Sequence, residues 1–241
     1  MVEEVTAAAA DAATALLSGG ERARVAAIRR PARAAAVAVS LALTRRVLAE
    51  ATGRPTAAMA FTRACARCGD PDHGRPRLLT AEVEFSVSRS ERWAVVAVAP
   101  RPVGVDVEDP GRPVAAGDLT PVLSPAERRW AGRRAGGDLL GLWVLKEAAG
   151  KAMGLGIVDA DRFSVVTGQG DDLAGWRPVA DAPDGRWSVT RVDAPPASVT
   201  GDAPAAVVAP DGPATLVDPG TPAALVAVAV AGDPLPVHLA G

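Results

Sequence analysis

At residue 83 the hydrophobic pattern changes to a period of two. Val83, Phe85 and Val87 alternate with Glu84, Ser86 and Ser88, the signature of a half-buried strand. Trp93 to Ala99 is a strongly apolar strand stopped by Pro100-Arg101-Pro102, and Val103 to Val107 is the next, stopped by Asp109-Pro110-Gly111. The Ala-rich stretch over residues 5–19 predicts a helix ending at Gly19-Gly20, and a second helix runs from about Arg33 through Glu50. Thr52 to Arg77 reads as loop.

A similar order returns in the second half. Ser124-Pro125-Ala126-Glu127 has the cap, proline and glutamate of a helix start. Leu139 to Met153 is a helix closed by Gly154 and Gly156. Strands are expected at Phe163 to Val166, Trp187 to Val192 and Leu225 to Ala231, with a Pro-, Asp- and Gly-rich surface loop over residues 194–222. The likeness of Trp93–Ala99 to Leu225–Ala231 suggests two similar α/β halves, residues 1–102 and 103–241. The expected class is α+β, with antiparallel sheets packed against helices.

Composition narrows the function. A net charge of −2 gives no global basic field for nucleic acid. No stretch approaches the roughly 20 apolar residues of a membrane span, and Met-Val-Glu-Glu lacks a signal peptide's basic start, so a soluble cytoplasmic protein is expected; the oligomeric state expected is a monomer. Cys65 and Cys68 make no disulfide framework. With His73 they resemble part of a zinc site, but the remaining histidine, His238, is at the far end, so a thiol-bearing loop is the preferred reading. There are 24 arginines and only 2 lysines, Lys146 and Lys151, close together. Lysine kept against that bias suggests a site that wants a compact ammonium.

Asp106 and Glu108 sit two apart on a strand, so both carboxylates face the same way. Glu147 and Lys151 are four apart on a helix and share a stripe with Trp143. Alone, each pair has an ordinary explanation: a solvated strand end, and a surface i,i+4 salt bridge. Together they offer three carboxylates to a hard cation such as Mg2+ and an ammonium to the same phosphates, which suits phosphoryl-group transfer.

Gly104-Val-Asp-Val-Glu108 and Trp143-Val-Leu-Lys-Glu-Ala-Ala-Gly-Lys151, about forty residues apart, resemble the two signature motifs of the 4'-phosphopantetheinyl transferase superfamily. Phe85-Ser-Val-Ser-Arg-Ser90 and Gly74-Arg75-Pro76 resemble its upstream Ser-His-Ser and Gly-Lys-Pro segments. The length is similar to that of the larger, pseudodimeric single-chain type. The resemblance implies a coenzyme A cleft between pseudo-twofold halves, with nucleotide contacts from residues 1–102 and the metal and catalytic residues from 103–241. Asp106, Glu108 and Glu147 would hold Mg2+, which bridges the pyrophosphate. Glu147 would also be the base, and Lys151 would neutralise the leaving group. Arg30, Arg33, Arg75, Pro76, Ser88, Arg89, Gly104 and Lys151 would line the coenzyme A site. The phosphopantetheine arm would pass to a serine of an apo acyl or peptidyl carrier protein, releasing 3',5'-ADP. Arg89 departs from the family's usual histidine. A relative that binds coenzyme A or a carrier without catalysis is the alternative reading.

Overall fold

A computed structural model of the chain describes residues 1–63, 74–80, 83–133, 138–157, 159–167, 173–194 and 224–237. The Cys65-Cys68-His73 segment, His238 and nearly all of the predicted loop over 194–222 lie outside these residues. Among the described residues no helix is long and apolar enough to cross a membrane.

The chain opens with β1 (Val2–Glu4), then α1 (Ala7–Thr14), α2 (Gly19–Ala26) and the long α3 (Pro31–Thr52). The expected stop at Gly19-Gly20 is instead a start. Ser18 and Glu21 form a reciprocal capping box that satisfies the first amides of α2. Within the predicted loop, β2 (Phe61–Arg63) and β3 (Pro76–Leu78) pair antiparallel. The predicted strands follow as β4 (Glu84–Arg89), β5 (Trp93–Ala99) and β6 (Val103–Glu108). Next come the short α4 (Ala116–Leu119), α5 (Pro125–Gly132) with the expected Ser124–Glu127 capping box, and α6 (Leu139–Met153). The last strands are β7 (Arg177–Pro178), β8 (Trp187–Ala194) and β9 (Ala224–Ala231). Phe163 to Val166 is buried but is not a strand: Ser164 makes only an isolated bridge to Ala180. That segment follows a 3-10 turn and carries carbonyls used elsewhere, so its apolar run reports burial rather than pairing.

Besides the two-stranded β2-β3 sheet, two larger antiparallel sheets form, one in the order β1-β5-β4 and one in the order β6-β9-β8-β7. Strand alternation fixes what each face touches. On β5, Ala94, Val96 and Val98 pack with Val39, Leu43 and Val47 of α3, while Trp93, Val95, Ala97 and Ala99 face a cluster with Val103, Val105 and Val107 of β6 and Val226, Val228 and Val230 of β9. On β9 the other face, Leu225, Ala227 and Ala229, packs with Leu142, Leu145 and Ala149 of α6. Both strands are therefore covered on both sides and read as continuous apolar runs. On β6 the three valines take the inner face, which leaves Gly104, Asp106 and Glu108 on the opposite face.

Candidate active site

The close approach of α6 to β6 rests on Gly104. A Cβ there would lie 2.0 Å from the Ala148 carbonyl oxygen and 2.4 Å from the Ala152 nitrogen, both helix backbone. The absent side chain lets the helix lie against the strand and brings its polar stripe to the strand's acids. α6 is fixed at both ends, by Asp138 accepting from the Gly141 amide at 2.7 Å and by Gly154 in the left-handed conformation, φ 74°.

Lys151 Nζ donates to Asp106 Oδ1 at 2.6 Å and to Ser88 Oγ at 3.0 Å, and Ser88 Oγ donates to the same Asp106 oxygen at 2.6 Å. Asp106 is only 5% exposed. Its other oxygen, Oδ2, is buried and has no hydrogen-bond partner among the described residues. A buried carboxylate oxygen without a partner is costly, and a cation would relieve it. Two residues along, Glu108 accepts from Trp143 Nε1 at 3.2 Å and pairs with Arg112. Trp143 thus spans from the helix stripe to the strand's second acid.

Glu147 is half-buried, and burial pushes its carboxyl above the usual carboxylate range. Lys151 pulls it back, while Asp106 and Glu108 push it further up. The acids from β6 and the acid from α6 therefore sense one another, and Lys151 stands among them. The donor set of three carboxylates, one with an orphaned buried oxygen, fits a hard divalent cation. The side chains are not closed around one point: among the described residues no group of three or more His, Cys, Asp or Glu converges closely enough to hold a metal.

Lys146, the other lysine, plays a different part. It is fully buried in the core, with Nζ 2.8 Å from Glu127 Oε2 and bonds to the Ala160 and Phe163 carbonyls at 2.5 and 2.7 Å. In a chain with 24 arginines and two lysines, each lysine has its own use: one compact ammonium serves the core, the other the acidic stripe.

A second polar region lies at the start of α3. Partial desolvation of the Arg89 guanidinium, and then the charges of Arg24 and Arg33, lower its pKa. Arg63 is pushed down by burial and by Arg24 and Arg89. No carboxylate pairs with Arg24, Arg33, Arg63 or Arg89 among the described residues. The helix they surround begins at Arg30 with no side-chain cap and no acid in its first turn. Like charges gathered near an open helix N-terminus would suit an anion. Arg24 escaped sequence reasoning, because one arginine among 24 carries no local signal. Arg75 is placed differently. Its guanidinium is taken by the carbonyls of Phe85, Val103 and Lys151 and by Glu84. Pro76 continues directly into β3.

Residues 102–201, which carry Asp106, Glu108, Glu147 and Lys151, match the model of the 4'-phosphopantetheinyl transferase superfamily. No curated protein matches the chain.

Proposed function

We propose that the chain is a 4'-phosphopantetheinyl transferase of the larger, single-chain type, which moves the phosphopantetheine arm of coenzyme A to a serine of an apo acyl or peptidyl carrier protein. The observation that carries this reading is the meeting of Asp106 and Lys151 at 2.6 Å, beside Glu147, within the stretch that matches the superfamily model.

A Mg2+ held by Asp106, Glu108 and Glu147 would supply charge neutralisation at the pyrophosphate. The chain's own residues account for the rest. Glu147, with its carboxyl raised by burial, is suited to take the proton of the carrier serine, directly or through one water. The serine oxygen then bonds to the phosphorus that carries pantetheine. The bond from that phosphorus to the bridging oxygen breaks, and its electron pair leaves with 3',5'-ADP. Lys151 neutralises the charge that develops on the leaving oxygen. The arginine cluster and the open start of α3 hold the 3'-phosphate, with Arg30 and Pro76 bordering the nucleotide. Residues 1–102 thus supply nucleotide contacts and 103–241 the metal and the chemistry, across a cleft between two similar halves. A cytoplasmic setting suits these substrates.

The test is to incubate the chain with coenzyme A, Mg2+ and several apo carriers of the fatty acid, polyketide and peptide synthase classes, and to weigh the carriers. A gain of one phosphopantetheine on a carrier is expected. Binding of coenzyme A with no gain on any carrier would replace this reading with that of a binding protein.

A further inference from the structure

The two sheets meet along strands that are each an edge. β4 has only β5 as a sheet neighbour, and β6 has only β9, yet β4 and β6 lie side by side. No backbone ladder joins them among the described residues. Edge amides and carbonyls must still find partners when buried. Here side chains supply them. Ser86 Oγ accepts from the Val105 amide at 3.1 Å, and Ser88 donates to Asp106 across the same seam. The widest bridge is Arg75, delivered by Gly74 at φ 97°. Its Nη2 donates to Phe85 O on β4 at 2.7 Å and to Val103 O on β6 at 3.0 Å, Nε adds a second bond to Phe85 O at 3.2 Å, and Nη1 reaches Lys151 O at 3.4 Å.

One guanidinium therefore grips three elements, each of which bears one member of the Ser88, Asp106 and Lys151 contact. Ser88 follows Phe85 by three residues, and Asp106 follows Val103 by three. The third carbonyl belongs to Lys151 itself. We infer that Arg75 is a positioning residue: it sets β4, β6 and the last turn of α6 relative to one another, so that Ser88, Asp106 and Lys151 meet. A planar fork can span such acceptors; a lysine, with its donors on a single nitrogen, cannot.

This inference rests on the transferase reading, and its test separates the two. In the full chain, Arg75→Lys and Arg75→Gln are compared with wild type for transfer to a carrier. A positioning role predicts a fall in kcat of about tenfold to a hundredfold. KM for coenzyme A should stay within about threefold, and lysine should not rescue, because charge is not what is lost. A rise in KM with kcat kept, restored by lysine, would overturn the inference and make Arg75 a phosphate contact. A second measurement needs no activity. Only two lysines occur, so lysine-selective isotope labelling gives two side-chain signals, with Lys151 assigned by Lys151→Arg. In Arg75→Gln the Lys151 signal should shift while that of Lys146 stays. An unchanged Lys151 signal would overturn the inference even if no carrier is ever modified. Failure of wild type to modify any carrier or bind coenzyme A would count against the transferase reading alone.

Discussion

Replacing Lys146 by methionine should cost more stability than most single substitutions in this chain. The Lys146 side chain and that of Glu127 are both 0% exposed and lie 2.8 Å apart. Lys146 also sits 4.1 Å from the Phe163 ring centre. Burial lowers its pKa and Glu127 holds it up, so its charge depends on the partner. Glu127 in turn accepts from the Ser124 and Val165 amides, each at 2.8 Å. After Lys146→Met the carboxylate keeps two amides but loses its counter-ion, and the Ala160 and Phe163 carbonyls lose a donor. Removing one partner of a buried pair costs about 3–5 kcal/mol, which in a chain of this size lowers Tm by roughly 6–20 °C. Glu127→Gln should cost a similar amount, since an amide puts a donor against one of the two backbone amides it now accepts from. The double variant should cost less than the summed singles by at least about 1.5 kcal/mol. Urea titrations of the three variants read this directly. A Lys146→Met cost below about 1 kcal/mol, or strict additivity, would refute the reasoning.

Three further outcomes follow from other parts of the structure. Gly104→Ala forces a methyl into the α6 backbone, so it should destabilise by about 1–3 kcal/mol or more and reduce transfer, read by melting and by carrier mass. Glu21 is pushed up by burial, but Arg45 at 2.9 Å and the Ser18 amide outweigh this and leave its pKa below the ordinary value. A depressed pKa means that the Glu21–Arg45 contribution is present above the unfolded value of 4.5 and is lost as pH falls through the folded one. Glu21→Gln should therefore be less stable than wild type by about 1–2 kcal/mol near neutral pH, with the gap closing in acid, measured by urea midpoints across pH. Glu147→Gln should reduce transfer by about 10²-fold or more while coenzyme A binding survives in part; full turnover in that variant would remove Glu147 from the base role.

Local patterns made much of the frame readable. The alternation of β4 and β6, the apolar runs of β5 and β9, the caps of α5 and the glycine stop of α6 are written within a few residues of each element. What escaped depended on distant partners or on a signal passed over. β1 is three residues long and is defined by pairing with β5 some ninety residues away. Gly19-Gly20 reads as a stop until Ser18 and Glu21 are seen as a capping box, a local signal that was there to use. The serines of β4 look like a solvent face by alternation, yet both are buried, because β6 lies across the seam and takes their hydrogen bonds. The candidate site shows the same division. Spacing alone places Glu147 and Lys151 on one stripe and Asp106 and Glu108 on one strand face, but only the packing of α6 on Gly104 brings the strand and the helix together. Arg24 and Arg63 come from α2 and β2, and nothing in either segment hints that they converge on Arg89.

The most direct test is to crystallise the chain with coenzyme A and Mn2+ in place of Mg2+ and to locate the metal by anomalous scattering. The account predicts one manganese bounded by Asp106, Glu108 and Glu147, with the coenzyme A pyrophosphate beside it and within reach of Lys151. Manganese bound elsewhere, or coenzyme A seated away from Lys151, would contradict it.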